Sequence, residues 1–455
     1  MSSSSVLVES NVKSTLIKMA VPMLAGTFAM NAYNLTDTWF VAQLGTNALA
    51  AMGFTFPVVM LLNCVSRGIA TGVTSIVSHA IGKQDEDAAK KVLIHSVFLM
   101  ISICLVLAAL GIASMDYVFG QLGAEGDVKT LVDKYMTVWY MGMIFMSLPM
   151  LGNGVLMSLG DSNRASMLMI VGTLANLVLD PVFIFGFMGI PAMGIRGAAI
   201  ATLIAQAIAS FWMVSLLARR YKLLYWRTGV LHGYAASVKH IISFAVPGIL
   251  SMVLAPVSAM LITKLLGSYG YEAVAAAGAA SRIEMFAFVV PMALGISLIP
   301  FVSQNFGAGR MDRVNEAFRV SSIFALCYGA LIAVLFYLAS DFFASVFSDD
   351  LEVQRILKLY IQIISFGYGM MEVHRYCGCF LIGMHKPGYG TFLNAGRIVL
   401  FLLPLSYGGA AYFAIPGIFT GRLLTDLLAG GVGFLWVKGV LNKVETQTGS
   451  LDLKI

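Results

Sequence analysis

The 455-residue chain is 59% hydrophobic and only 11% charged, with a formal net charge of +6 and a mean hydropathy of +0.85. Soluble globular domains carry about 25% charged residues, so a water-soluble enzyme, a disordered chain, a coiled coil and a disulfide scaffold are all excluded. What fits is a polytopic membrane protein, in which each helix needs about 20 apolar residues and any charge that cannot be placed in a loop needs a reason.

Met1 to Ser14 is polar and Ser-rich, and the first apolar run, Leu16 to Leu44, is too long for a signal-peptide core, so it reads as an uncleaved first span. Apolar runs bounded by polar or Gly/Pro breaks predict twelve membrane-spanning helices, over 15–43, 46–80, 91–115, 129–157, 165–187, 192–218, 240–266, 271–305, 314–340, 353–383, 388–409 and 411–437. The second and eighth runs are long enough to predict tilted helices that extend past the hydrocarbon. The odd-numbered loops hold only Lys129, Lys134, Arg196, Arg355 and Lys358, whereas the even-numbered loops and tails hold most of the other Lys and Arg. That bias predicts both termini on the cytoplasmic side. The positive net charge is then a topology signal and predicts no nucleic-acid partner.

Ala20-Val21-Pro22 recurs as Ala245-Val246-Pro247, Ala48 to Gly53 as Ala273 to Gly278, Ser78 and Gly82 as Ser303 and Gly307, and Tyr135 as Tyr360, always at an offset of 225 residues. Gly197 to Thr202 matches Gly421 to Asp426 at 224. Six spans separate the copies, so the expected fold class is an all-α integral membrane protein with two six-helix bundles in parallel internal repeat, as in many secondary transporters. The expected domains are an N-terminal lobe over 1–218, an interfacial cytoplasmic linker over 219–239, a C-terminal lobe over 240–440 and a cytoplasmic tail over 441–455.

Five acids fall within spans: Asp37, Asp180, Glu284, Glu372 and Asp426. Asp37 lies in a polar patch with Asn31, Asn34 and Thr36, and Asp180 follows Asn176 by one helical turn, so those two project from one face. Counted from the outer ends of their spans, Asp37 and Asp180 lie at similar depth, where Tyr135 and Thr202 can reach them. A carboxylate pair in low dielectric shares protons, which suits proton coupling, and the same oxygens suit Na⁺. A structural alternative is that each acid is simply hydrogen-bonded by neighbouring Asn and Thr. The second repeat has Leu403-Pro404 where the first has Asp180-Pro181, and no acid opposite Asp37, so only the first half keeps this pair. Glu284 beside Arg282, Glu372 beside Arg375, and Asp426 four residues from Arg422 read as structural ion pairs. Among these, Glu372, and then Glu284, are the second-lobe candidates for contacting a cationic substrate.

Pro22 kinks the first span and is either a static bend or a hinge. Cys64, Cys104, Cys327, Cys377 and Cys379 lie in apolar runs and read as buried thiols, since zinc needs a fuller ligand set. No Walker, HExxH or GxSxG pattern occurs, so neither ATP-driven pumping nor hydrolysis is expected, and no cofactor beyond a coupling ion.

The chain resembles the multidrug and toxic compound extrusion (MATE) family through Ala20-Val21-Pro22, the run from Asp37 to Gly45 leading into Ala50 to Gly53, Gly72 to Gly82, Asn176 to Pro181 and Gly194 to Thr202. It is most similar to the prokaryotic DinF-like branch. The resemblance implies that Asp37, Asn176 and Asp180 bind H⁺ or Na⁺, with Tyr135 and Thr202 in the network and Pro22 as the bending point. It also implies export of amphipathic, often cationic, drugs or toxic compounds by alternating access. The expected setting is the inner (cytoplasmic) membrane of a bacterium or archaeon, with the lipid bilayer as surroundings and the monomer as functional unit. The acid that a related branch uses on span seven is missing here, where Lys264 is the only charge, which argues against a second-lobe Na⁺ site. A lipid-linked oligosaccharide flippase is the nearest alternative. An intramembrane enzyme or a channel is the alternative from another class, disfavoured because no catalytic constellation is present.

Overall fold

The computed structural model describes residues 4–187, 189–224 and 231–452, with the side chains of 4–6, 34 and 447–452 outside the description. Part of the expected linker, residues 225–230, therefore lies outside the described residues. The remainder is helical, and no strand occurs among the described residues. The long helices are α1 (Val12–Ala42), α2 (Thr46–Gly82), α3 (Glu86–Gln121), α4 (Gly126–Ser158), α5 (Ser162–Phe185) and α6 (Ile195–Ser215, closed by a π-helical turn at Leu216–Arg220). They continue as α7 (Tyr234–Gly267), α8 (Tyr271–Gly307), α9 (Met311–Leu338) and α10 (Leu351–Ile364 and Tyr368–Gly383, joined by a 3₁₀ turn). The last stretch runs from Pro387–Gly396 through a π-helical segment, Arg397–Leu402, into Leu403–Asp452. Ala414, at φ 51° and ψ −135°, breaks it, giving α11 before the break and α12 after it. Short helices cover Ser4–Glu9 and Ser340–Phe347.

The sequence explains where several of these helices start. Asp85, Asp161 and Asp350 cap the helices that follow them, accepting from the amides of Ala88 (2.9 Å), Arg164 (3.1 Å) and Glu352 (2.8 Å). An N-cap carboxylate satisfies one of the helix's orphan donors. The internal repeat also appears in the backbone. Left-handed φ values occur at Gly45 and Gly270 (102° and 116°), Gln84 and Gly309 (61° and 73°), and Gly160 and His385 (75° and 61°). Each pair is separated by the offset already found in the sequence, so the same turns recur in both halves even where the residue is not glycine.

Prolines within the helices free carbonyls that hydrocarbon cannot solvate. The carbonyl four residues before Pro22, that of Lys18, accepts the Ser162 hydroxyl at 3.2 Å. Before Pro149, the Phe145 carbonyl accepts Ser210 at 2.9 Å, and before Pro291 the Ala287 carbonyl accepts Tyr328 at 2.9 Å. Hydroxyls from neighbouring helices thus satisfy these freed carbonyls.

The chain forms two compact units, one built on Lys18–Ile249 and the other on Ser5–Ile17 with Leu250–Ile455. In the first, α2 and α4 pack through small residues, with Ser66 to Ser147 and Ser78 to Ser158 hydrogen bonds of 2.8 Å each. Close backbone approach through small residues is the usual basis of helix association in lipid. In the second, residues such as Ala276, Ile283, Leu357, Ile364 and Phe419 form the core between α8, α10 and α12. The Leu7 carbonyl accepts from Asn305 Nδ2 (3.1 Å) and from the buried Arg313 (3.0 Å).

Ala414 adopts nearly the same backbone conformation as Gly194 (φ 57°, ψ −135°), which opens α6 in the first half. That region is close to glycine-only and costs an alanine about 1–3 kcal/mol. Ala414→Gly is therefore expected to stabilise the protein by about 1 kcal/mol and Gly194→Ala to destabilise it, both read from thermal unfolding in detergent.

Candidate cation site in the first unit

Asp37 lies on α1, Tyr135 on α4, Asn176 and Asp180 on α5, and Thr202 on α6. The structure brings these residues into one buried cluster. Asp180 is 0% and Asp37 7% exposed, and Asn176, Thr202 and Tyr135 are buried with them. Asn176 Nδ2 donates to Asp180 Oδ1 at 3.1 Å and to Thr202 Oγ1 at 3.2 Å. Asp37 lies in electrostatic range of Asp180, and Tyr135 lies in range of both carboxylates. Asp37 Oδ1 and Asp180 Oδ2 have no hydrogen-bond partner among the described residues.

Local sequence makes this cluster possible. Gly197 packs so closely on α5 that any Cβ would run into the Phe183 carbonyl. That approach brings α6 near enough for Thr202 to meet Asn176. Gly421 approaches the Leu405 carbonyl in the same way in the second half.

Two expected members of the network stand differently. The Thr36 hydroxyl donates to the Ala32 carbonyl at 2.9 Å, within its own helix, and the side chain of Asn34 lies outside the described residues. Tyr33, which sequence reasoning passed over, takes a place instead, its hydroxyl 3.2 Å from Thr202 Oγ1. The signal was present, because Tyr33 precedes Asp37 by four residues and so shares its helix face. Pro22 lies inside α1.

The second unit treats its acids differently. Arg422 donates to both oxygens of Glu284, at 2.8 and 3.0 Å. Tyr360 donates to Glu284 at 3.0 Å and is itself contacted by Arg422. Arg397 pairs with Asp426 at 2.6 Å, and Arg375 with Glu372 at 3.1 Å. Two expected pairings are corrected here. Glu284 does not pair with Arg282, because residues two apart point about 200° away from each other around a helix. Asp426 does not pair with Arg422, whose guanidinium reaches across to α8 and leaves Asp426 to Arg397 of α11. Glu284, Glu372 and Asp426 are thus each matched by an arginine, whereas Asp37 and Asp180 have no basic partner among the described residues. No cluster of three or more His, Cys, Asp or Glu suited to a metal ion occurs among the described residues.

The MatE family model matches the chain twice, over residues 22–182 and 247–407. The chain belongs to the MATE family. The two matches start and end at the repeat offset, so each half carries one copy. The FAD transporter of Shewanella oneidensis is 32% identical over 434 residues, covering 95% of this chain and 96% of that protein. The probable multidrug resistance protein YoeA of Bacillus subtilis is 28% identical over 356 residues, covering 76% of each chain. The crystal structure of the Vibrio cholerae MATE transporter VcmN in the bent form matches with a TM-score of 0.90 at 29% identity, covering 97% of this chain and 99% of that one. As a MATE protein the chain is an all-α integral membrane transporter of small molecules, not an enzyme. It has twelve transmembrane helices in two repeated six-helix bundles.

Removing Arg397 would leave Asp426, which is 0% exposed, as a buried charge without its partner. Arg397→Met is expected to destabilise the MATE protein by about 3–5 kcal/mol, and combining it with Asp426→Leu to recover most of that loss. Thermal unfolding of the detergent-solubilised variants measures both effects.

Proposed function

We propose that this protein is a cation-coupled antiporter of the cytoplasmic membrane, exchanging entering H⁺ or Na⁺ for an outgoing amphipathic compound by alternating access. One observation carries the reading: Asp37 and Asp180 are buried together, each with an oxygen left without a partner. Two carboxylates held in a low-dielectric site repel one another, and a proton or small cation between them relieves the repulsion. Asn176 fixes the orientation of Asp180, Thr202 ties Asn176 to Tyr33, and Tyr135 closes the cluster. If Na⁺ is the ion, Asp37, Asp180 and the amide oxygen of Asn176 are its protein ligands. A cationic substrate competes with the ion for the same negative charge, so occupancy by one disfavours the other, which is the thermodynamic content of antiport.

Pro22 serves in this reading as the bend of α1, the helix that carries Asp37. Its freed carbonyl is held by Ser162, an easily exchanged hydroxyl contact. The basic-residue bias supports cytoplasmic termini, and the first unit contains the whole cluster, which supports a functional monomer. The paired Glu284 and Glu372 serve structure, with Glu372 the better placed of the two to meet substrate because its arginine holds only one oxygen.

A second reading of the cargo is favoured by the Shewanella relative, similar over nearly the full length of both chains and named for FAD transport. On that reading the exported compound is an anionic flavin nucleotide.

The test is efflux from proteoliposomes with pH and Na⁺ gradients imposed separately, using a fluorescent organic cation and FAD as cargoes. Transport driven by one of the gradients is expected, and dependence on neither would overturn the antiport reading. Asp37→Asn is expected to reduce gradient-driven efflux to the rate of protein-free vesicles while leaving thermal unfolding near that of the parent. Normal efflux by that variant would remove Asp37 from the mechanism.

A further inference from the structure

Six basic residues lie within the spans: Arg67, Lys264, Arg282, Arg375, Arg397 and Arg422. Three of them, Arg375, Arg397 and Arg422, are matched by acids. Lys264, in the last turn of α7, and Arg282 are exposed. Arg67 fits neither pattern. It is half-buried in α2, with no carboxylate within ion-pair distance among the described residues. Its described contact is the thioether of Met30 on α1, with Nη2 3.9 Å from the sulfur. A sulfur is a weak acceptor and does not compensate a guanidinium withdrawn from water. A charged side chain within a span and without a partner points to a ligand.

The position is specific. Met30 precedes Asp37 by seven residues on the same helix, which is two turns, or about 10 Å along the axis. Next to Arg67, Gly68 packs against Ile249 and Ala245 of α7 so tightly that a Cβ would contact the Ile249 side chain. The α2 backbone is therefore closely packed beside the guanidinium, and the flexible Met30 side chain meets it from α1.

We propose that Arg67 binds an anionic group, a phosphate in the first instance, of the exported compound. The inference rests on the transport reading above and assigns the class of cargo. A planar guanidinium matches two phosphate oxygens at once, and the Met30 thioether packs against an aromatic ring attached to them. Arg67 and Met30 together suit an aromatic compound with a phosphate tail. Asp37, two turns along α1 from Met30, stays available to the coupling ion together with Asp180.

The experiment compares FAD with ethidium as cargoes in phosphatidylcholine vesicles, which have no anionic headgroup to occupy Arg67. In Arg67→Gln the ratio of FAD to ethidium transport is expected to fall by about tenfold or more, the scale of losing one charge-assisted contact. Arg67→Lys, which keeps the charge but not the fork, is expected to fall between the two. Lys264→Gln, at an exposed site, is expected to keep the parent ratio. An unchanged ratio in Arg67→Gln, whether both cargoes are lost or both retained, overturns the proposal, as does a parent protein that moves ethidium but no phosphate-bearing compound. If no gradient drives transport, the antiport reading fails separately. The proposal is then judged on equilibrium binding of FAD to the detergent-solubilised protein, where Arg67→Gln must still weaken Kd by about tenfold.

Discussion

Inside hydrocarbon a polar group has no water to fall back on, and this protein is organised by how each such group is answered. Carbonyls freed by Pro22, Pro149 and Pro291 are met by Ser162, Ser210 and Tyr328. In the second unit Glu284 and Asp426 are met by arginines from neighbouring helices, and Glu372 by Arg375 one turn on in its own helix. Breaking such a pair leaves an uncompensated charge, so each arginine constrains the helices it joins. Asp37 and Asp180 have no such basic partner among the described residues, and the second repeat has Leu403 in place of Asp180 and no acid opposite Asp37.

The repeat makes that contrast informative. Tyr135 of the first half corresponds to Tyr360 of the second, and Thr202 to Asp426. The first tyrosine lies among carboxylates without a counter-ion, and the second lies between Glu284 and Arg422. The same scaffold therefore holds a fixed guanidinium on one side and, on the proposed reading, an exchangeable cation on the other. A covalently attached cation cannot leave, so the second unit keeps one state at this level while the first can change its charge.

Much of this was legible in the sequence because it depends on local periodicity. Span limits follow from unbroken apolar runs, and the observed helices Thr46–Gly82 and Tyr271–Gly307 bracket the expected long second and eighth spans. The clustering of Asp37, Asn176, Asp180, Thr202 and Tyr135 followed from one i,i+4 spacing and a count of depth along helices of fixed rise. The illegible part is long-range. A buried arginine chooses its partner across helices, so sequence spacing named Arg282 and Arg422 where the folded chain uses Arg422 and Arg397. The break at Ala414 was placed only to within a few residues because no glycine marks it, although its counterpart Gly194 does.

The division of the chain into units adds a final constraint on α1. Its leading residues through Ile17 group with the second unit, and from Lys18 onward it groups with the first. In α7 the change of unit falls between Ile249 and Leu250. Pro22 and its repeat counterpart Pro247 lie about one turn from these changes. At each proline one backbone hydrogen bond is already missing, so the helix yields there at least cost. Beyond Pro22, α1 runs unbroken to Asp37, about four turns on. On the proposed reading, a charge change at Asp37 acts on a helix segment whose nearest missing backbone hydrogen bond is the one at Pro22.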